Sequence, residues 1–139
     1  MSWYDALPDG LPSPTPRWSS AVFREELAAW VESEVGPVRT MEQAKLRPWA
    51  SVWRISTADG SYFAKQNCAL QSFEAGLVSR LARWSPGHLV PVAAVDEQRG
   101  LLLTADLGPV LSETSGHDLS EWGRVVAAGA ELQRSVAPY

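Results

Sequence analysis

Two residues of this chain could hold and orient an anion. Lys65 ends the short apolar run Ser61-Tyr62-Phe63-Ala64, a strand pattern that would keep it rigid, and Glu74 follows nine residues later at the start of a helical pattern. An ammonium so fixed can reach phosphate oxygens as a point charge, while a carboxylate on a helix packed against the strand sets its direction. The chain has only two lysines, so a lysine in such a place stands out. A strand, a helix and whatever else shapes the pocket must position the pair.

Length and composition bound the rest. The 139 residues make about one domain with a sizeable core. A net charge of −4 and a pI near 5.1 argue against a general nucleic-acid surface, which needs clustered Lys and Arg, and leave room for a small local anion site. Cys68 is alone, which excludes an internal disulfide, and with only His88 and His117 a Cys/His metal site is not expected. There is no signal-peptide core and no apolar run that could span a bilayer, so the expected setting is the reducing cytoplasm without membrane attachment. Ten arginines against two lysines are a faint hint of a GC-rich bacterial source.

The chain divides into an arm, a mixed domain and a tail. Residues 1–18 read as an irregular Pro-rich arm, since Pro8, Pro12, Pro14 and Pro16 cannot donate backbone hydrogen bonds, with Trp3, Tyr4 and Trp18 as aromatics that pack onto the domain or a partner if the arm is not simply loose. From Ser19 or Ser20 to Val35 the pattern is helical, with Phe23, Leu27, Trp30 and Val31 on one stripe and Gly36-Pro37 as the stop. Strands are expected over Val38 to Leu46, Ser51 to Thr57 and Ser61 to Gln66, the last two joined by Ala58-Asp59-Gly60, a hairpin signal because Asp-Gly tolerates positive φ. Gln71 to Trp84 is a second helix with an apolar stripe of Phe73, Leu77, Leu81 and Trp84. Val90 to Asp96 and Leu101 to Ala105 form a further hairpin, and Leu119 to Val136 a third helix capped by Asp118 with Glu121 in a capping-box relation. The fold class is α+β, a five-stranded antiparallel sheet with a packed helix.

This order resembles the N-terminal lobe of the aminoglycoside phosphotransferase family, grouped with the choline, homoserine and fructosamine kinases in the protein-kinase-like fold. The residues that carry the resemblance run from about Lys45 to Gln133. They are Ser51-Val52-Trp53-Arg54-Ile55, Asp59-Gly60, Phe63-Ala64-Lys65, Phe73-Glu74 with Val78 and Leu81, Val90-Pro91, Ala94-Val95-Asp96, Leu101-Leu102-Leu103-Thr104-Ala105-Asp106-Leu107-Gly108, and Ala130-Glu131-Leu132-Gln133. The resemblance implies a kinase-like N-lobe over 19–105 and, over 106–139, a hinge and the start of a C-lobe.

It further implies that ATP is the nucleotide, that Lys65 meets its α- and β-phosphates with Glu74 holding the ammonium, and that Ser51 with the Arg47 to Ala50 loop covers the phosphates. Val52 would pack on the adenine, and Thr104, Ala105, Asp106 and Leu107 would form the hinge that bonds its edge. The chain departs from the kinase pattern in having no glycine between Lys45 and Asp59 and in the short interval between Lys65 and Glu74. The family's catalytic Asp and its magnesium ligands belong to a His-Gly-Asp type loop that does not appear. His117-Asp118-Leu119 lacks the downstream asparagine and falls where a helix cap belongs. The chain alone is therefore expected not to be a competent kinase, and a truncated C-lobe would leave Trp122 and Val125-Val126 as a surface for a missing lobe or for self-association. The competing expectation is an interaction domain that keeps the fold without catalysis. The acceptor, an aminoglycoside-like or amino-alcohol hydroxyl, follows from the family alone.

Overall fold

Alternating and continuous apolar segments separated by turn residues become five strands in the computed structural model, which describes residues 13–139. They are β1 (Val38–Arg47), β2 (Ala50–Thr57), β3 (Ser61–Asn67), β4 (Val92–Asp96) and β5 (Leu101–Ala105). The sheet is antiparallel throughout, in the order β1-β2-β3-β5-β4, so the α+β class with a five-stranded antiparallel sheet holds. The β2–β3 connection closes between Thr57 and Gly60 without a left-handed glycine, because Thr57 Oγ1 accepts the Asp59 N–H at 3.2 Å.

One face of the sheet is covered by α1 (Thr15–Trp18) and α2 (Ala21–Val35). Ser20 caps α2 by accepting from the Phe23 N–H, and Gly36 ends it at φ 87°, a conformation that a side chain would strain. The residues that α2 buries are Phe23, Leu27, Trp30 and Val31, the stripe its periodicity marks. They meet Trp53, Ile55, Ala64, Ala94, Leu101 and Leu103 from the sheet, together with Cys68 just after β3, in one core.

Two expectations need correction. Residues 1–12, with Trp3 and Tyr4, lie outside the described residues, but 15–18 are not irregular. Thr15–Trp18 is a helical turn, tolerating Pro16 because its first N–H groups have no intrahelical partner, and Trp18 is 2% exposed with its indole N–H donating to Gln66 Oε1 at 2.7 Å. The second concerns α3 (Phe73–Trp84), which follows a 3₁₀ turn at Ala69–Gln71. Its closest approach to the rest of the molecule buries Ala75 and Gly76, while Phe73 is 65% exposed and Leu77 is exposed too. A Cβ on Gly76 would lie 2.7 Å from Glu97 Oε2, the end of an exposed side chain that would have to shift.

Beyond β5 come a short α4 (Leu111–Thr114) and then α5 (Leu119–Val136). α5 buries none of its residues and touches α3 at its far end, where Ser135 Oγ donates to Ser85 Oγ at 2.6 Å and Trp84 stacks on Tyr139. Among the described residues no helix is long and apolar enough to cross a membrane.

Candidate functional site

Strand alternation sorts β3 into two sets. Tyr62, Ala64 and Gln66 face α1 and α2, where Ala64 is fully buried and Gln66 bonds Trp18, so Phe63, Lys65 and Asn67 project from the other face. There the helix α3 delivers Glu74. Lys65 Nζ donates to both Glu74 oxygens, each at 2.7 Å. The 3₁₀ turn at Ala69–Gln71 folds the chain directly from β3 into α3, which is how nine residues suffice to bring the two side chains together.

Asn67, two residues after Lys65 and on the same face, completes the cluster. Its Nδ2 donates to Glu74 Oε2 and, at 3.2 Å, to the Gln71 carbonyl, so the carboxylate is held from two sides. The Asn67 side chain is buried, and its Oδ1 has no partner among the described residues. Lys65 and Glu74 each retain about a third of their side-chain exposure, 32% and 31%, which leaves the ammonium open to a ligand. Asn67 escapes sequence reading, yet the period of two after Lys65 is a signal that could have found it.

Next to this cluster, on the same face, lies a cleft of about 370 Å³ lined by Ala44, Lys45, Val52, Arg54, Phe63, Gly108, Pro109, Val110 and Glu113. That volume falls at the lower end of the range for small-molecule sites. Val52 is directly opposite Lys65, and Phe63 is directly opposite Arg54 and Thr104, so the cleft continues from the Lys65 end toward the segment after β5. Arg54 places its guanidinium over the Phe63 ring, 5.2 Å from the centroid, and donates from Nε to Asp106 Oδ2 at 2.9 Å.

Of the hinge residues, Thr104 and Ala105 end β5, where the Ala105 N–H donates to the Pro91 carbonyl, and the Asp106 N–H donates to the Ser61 carbonyl. The Asp106 carboxylate serves the protein itself, accepting from Arg54 and from the Gly108 N–H at 2.9 Å. Leu107 is 70% exposed, and its N–H makes no hydrogen bond among the described residues.

Ser51 is a correction. It neighbours Val52 in β2 and therefore faces the other way. It is fully buried under the helices, and its hydroxyl accepts from Gln43 Nε2 at 3.0 Å and Trp53 Nε1 at 2.9 Å. As placed, the hydroxyl cannot meet a ligand beside Lys65. His117 and Asp118 lie apart from this cluster in function: Asp118 caps α5, and the Ser120 hydroxyl and then the Ser120 N–H bonded to its carboxylate hold it below the ordinary aspartate value. Glu121 pairs with Arg124 rather than closing a capping box. Among the described residues, no three His, Cys, Asp or Glu side chains come together as a metal site.

No family model matches the chain, and no curated protein is similar enough in sequence to count as a relative.

Proposed function

We propose that this chain is the ATP-binding N-lobe of a small-molecule phosphotransferase of the aminoglycoside phosphotransferase kind. The observation that carries the reading is the Lys65–Glu74 pair, made between β3 and the following helix, with Lys65 directly opposite Val52, which lines a cleft that runs to the segment after β5. A held ammonium beside Val52 suits the α- and β-phosphates, and the Val52 and Phe63 surface suits a base whose edge the Leu107 N–H, without a hydrogen bond among the described residues, can bond. Magnesium would arrive with the nucleotide and take its protein ligands from a C-lobe, as would the acceptor hydroxyl and the base that activates it. On its own the chain binds nucleotide and does not turn it over, because positioning and metal-assisted charge stabilisation supply most of the rate in phosphoryl transfer.

The test is calorimetry of magnesium-ATP against the 139-residue chain and its Lys65→Ala variant. Binding that the variant loses supports the proposal; binding that it retains, or none in the parent, refutes it.

A second reading, an interaction domain that keeps the fold without catalysis, is favoured by α5. That helix spans 18 residues without burying one, and it displays Leu119 at 84% and Val126 at 73% exposure beside Trp122 and Val125. Self-association at high concentration is the outcome that this reading expects from light scattering, and a monodisperse monomer counts against it.

A further inference from the structure

The chain's two lysines stand in one row across the sheet. Lys45 on β1 is directly opposite Val52 on β2, and Val52 is directly opposite Lys65 on β3. Directly opposed residues project to the same face, so both ammonium groups rise beside Val52, with their Cα atoms two strand spacings, roughly 9 to 10 Å, apart.

A bulge puts Lys45 there. Gln43 is opposite Trp53 and Lys45 is opposite Val52, which leaves Ala44 as an extra residue. In unbroken register Ala44 would face Val52 and Lys45 would face Ser51, on the side where Ser51 is fully buried beneath the helices. The one-residue insertion thus moves a cation from the covered face to the face that carries Lys65 and Glu74. Re-aiming a side chain beside a site is a recurrent use of such bulges.

Of the cations beside this row, Lys65 is committed to Glu74 and Arg54 to Asp106, while Arg47, two residues beyond Lys45 on β1, bonds the Leu46 carbonyl. Lys45 lines the cleft and makes no side-chain hydrogen bond or ion pair among the described residues, although Glu113 lines the same cleft. The β1–β2 connection, where a glycine-rich loop would let backbone N–H groups approach phosphates, has no glycine between Lys45 and Asp59.

We propose that Lys45 is a second phosphate-binding residue, and that the ligand is a polyphosphate chain gripped from both sides of Val52. Lys65 is the fixed cation and Lys45 the mobile one, replacing donors that a glycine-rich loop would supply. The proposal rests on the nucleotide reading of Lys65 and goes beyond it by naming the residue that closes the phosphate end.

The test titrates the 139-residue chain, its Lys45→Met and Lys45→Arg variants, and Lys65→Met with magnesium-ATP and separately with inorganic tripolyphosphate. Lys45 is exposed, so its variants fold as the parent does. One charge-assisted contact sets the expected loss in Lys45→Met at about ten-fold or more for both probes, shrinking as salt rises, with Lys45→Arg recovering most of it. Parent-like affinity in Lys45→Met, with binding lost in Lys65→Met, overturns the role of Lys45 and leaves the nucleotide reading intact. Tripolyphosphate binding that depends on Lys45, without ATP binding, upholds Lys45 and removes the nucleotide. A parent chain that binds neither probe overturns both.

Discussion

The Lys65–Glu74 pair makes a quantitative prediction that a double-mutant cycle can test. Lys65→Met removes the ammonium and keeps most of the stem. Glu74→Gln removes the charge and keeps an oxygen that can accept from Asn67 Nδ2. Two contacts of 2.7 Å would be worth several kcal/mol at an effective dielectric near 20, but about a third of each side chain is in water, which screens the attraction. Exposed pairs couple by roughly 0.2–1 kcal/mol. The two-pronged geometry and the buried Asn67 amide, which orders the carboxylate, place this pair at the upper end, at about 1 kcal/mol. Urea unfolding of the parent, both single variants and the double variant, followed by tryptophan fluorescence, gives the coupling directly, and its value should fall as salt is added. A coupling within about 0.3 kcal/mol of zero would mean that the two side chains act independently and that Glu74 does not hold Lys65 in solution.

Two further outcomes follow from the packing and the charges. Trp18→Ala should cost roughly 3–5 kcal/mol in the same urea assay, since a nearly fully buried indole is removed, and Trp18→Phe should cost less but still leave Gln66 Oε1 without its donor. Asp96 holds the β4–β5 turn: the Arg99 N–H and then its guanidinium bond the carboxylate and keep its pKa below the ordinary aspartate value. A depressed folded-state pKa gives stability that is present above the unfolded value of about 3.9 and is lost as pH falls through the folded one. Asp96→Asn should therefore cost less than about 1 kcal/mol of stability at pH 7, given the half-exposed Arg99 partner, read as a lower urea midpoint, and the gap between variant and parent should close at acid pH.

Much of the architecture is local and therefore readable. The stripe of α2 is buried at Phe23, Leu27, Trp30 and Val31 because a 3.6-residue period needs only one flat neighbour to be satisfied. α5 begins at Leu119 because the Asp118 carboxylate accepts from the Ser120 N–H, one of the helix's first free N–H groups. Lys65 and Glu74 are likewise readable as types in order, a cation on a strand and a carboxylate on the next helix.

What the tertiary structure decided is which way side chains point and what lies against them. Ser51 and Val52 are adjacent in a strand, so they cannot both face one ligand, and only pairing with β3 shows that Val52 is the one beside Lys65. The α3 stripe has the right period, yet the face that packs against the rest of the molecule is the one carrying Ala75 and Gly76, while Phe73 and Leu77 are exposed. β5 inserts between β3 and β4, a long-range pairing that hairpin signals cannot express. The bulge at Ala44 turns Lys45 onto the open face, although no local signal near it specifies the shift. Local sequence carries the period of a strand or helix, whereas its phase is set by register with residues distant in the chain. In a strand, a change of one residue in that register moves a side chain to the opposite face of the sheet.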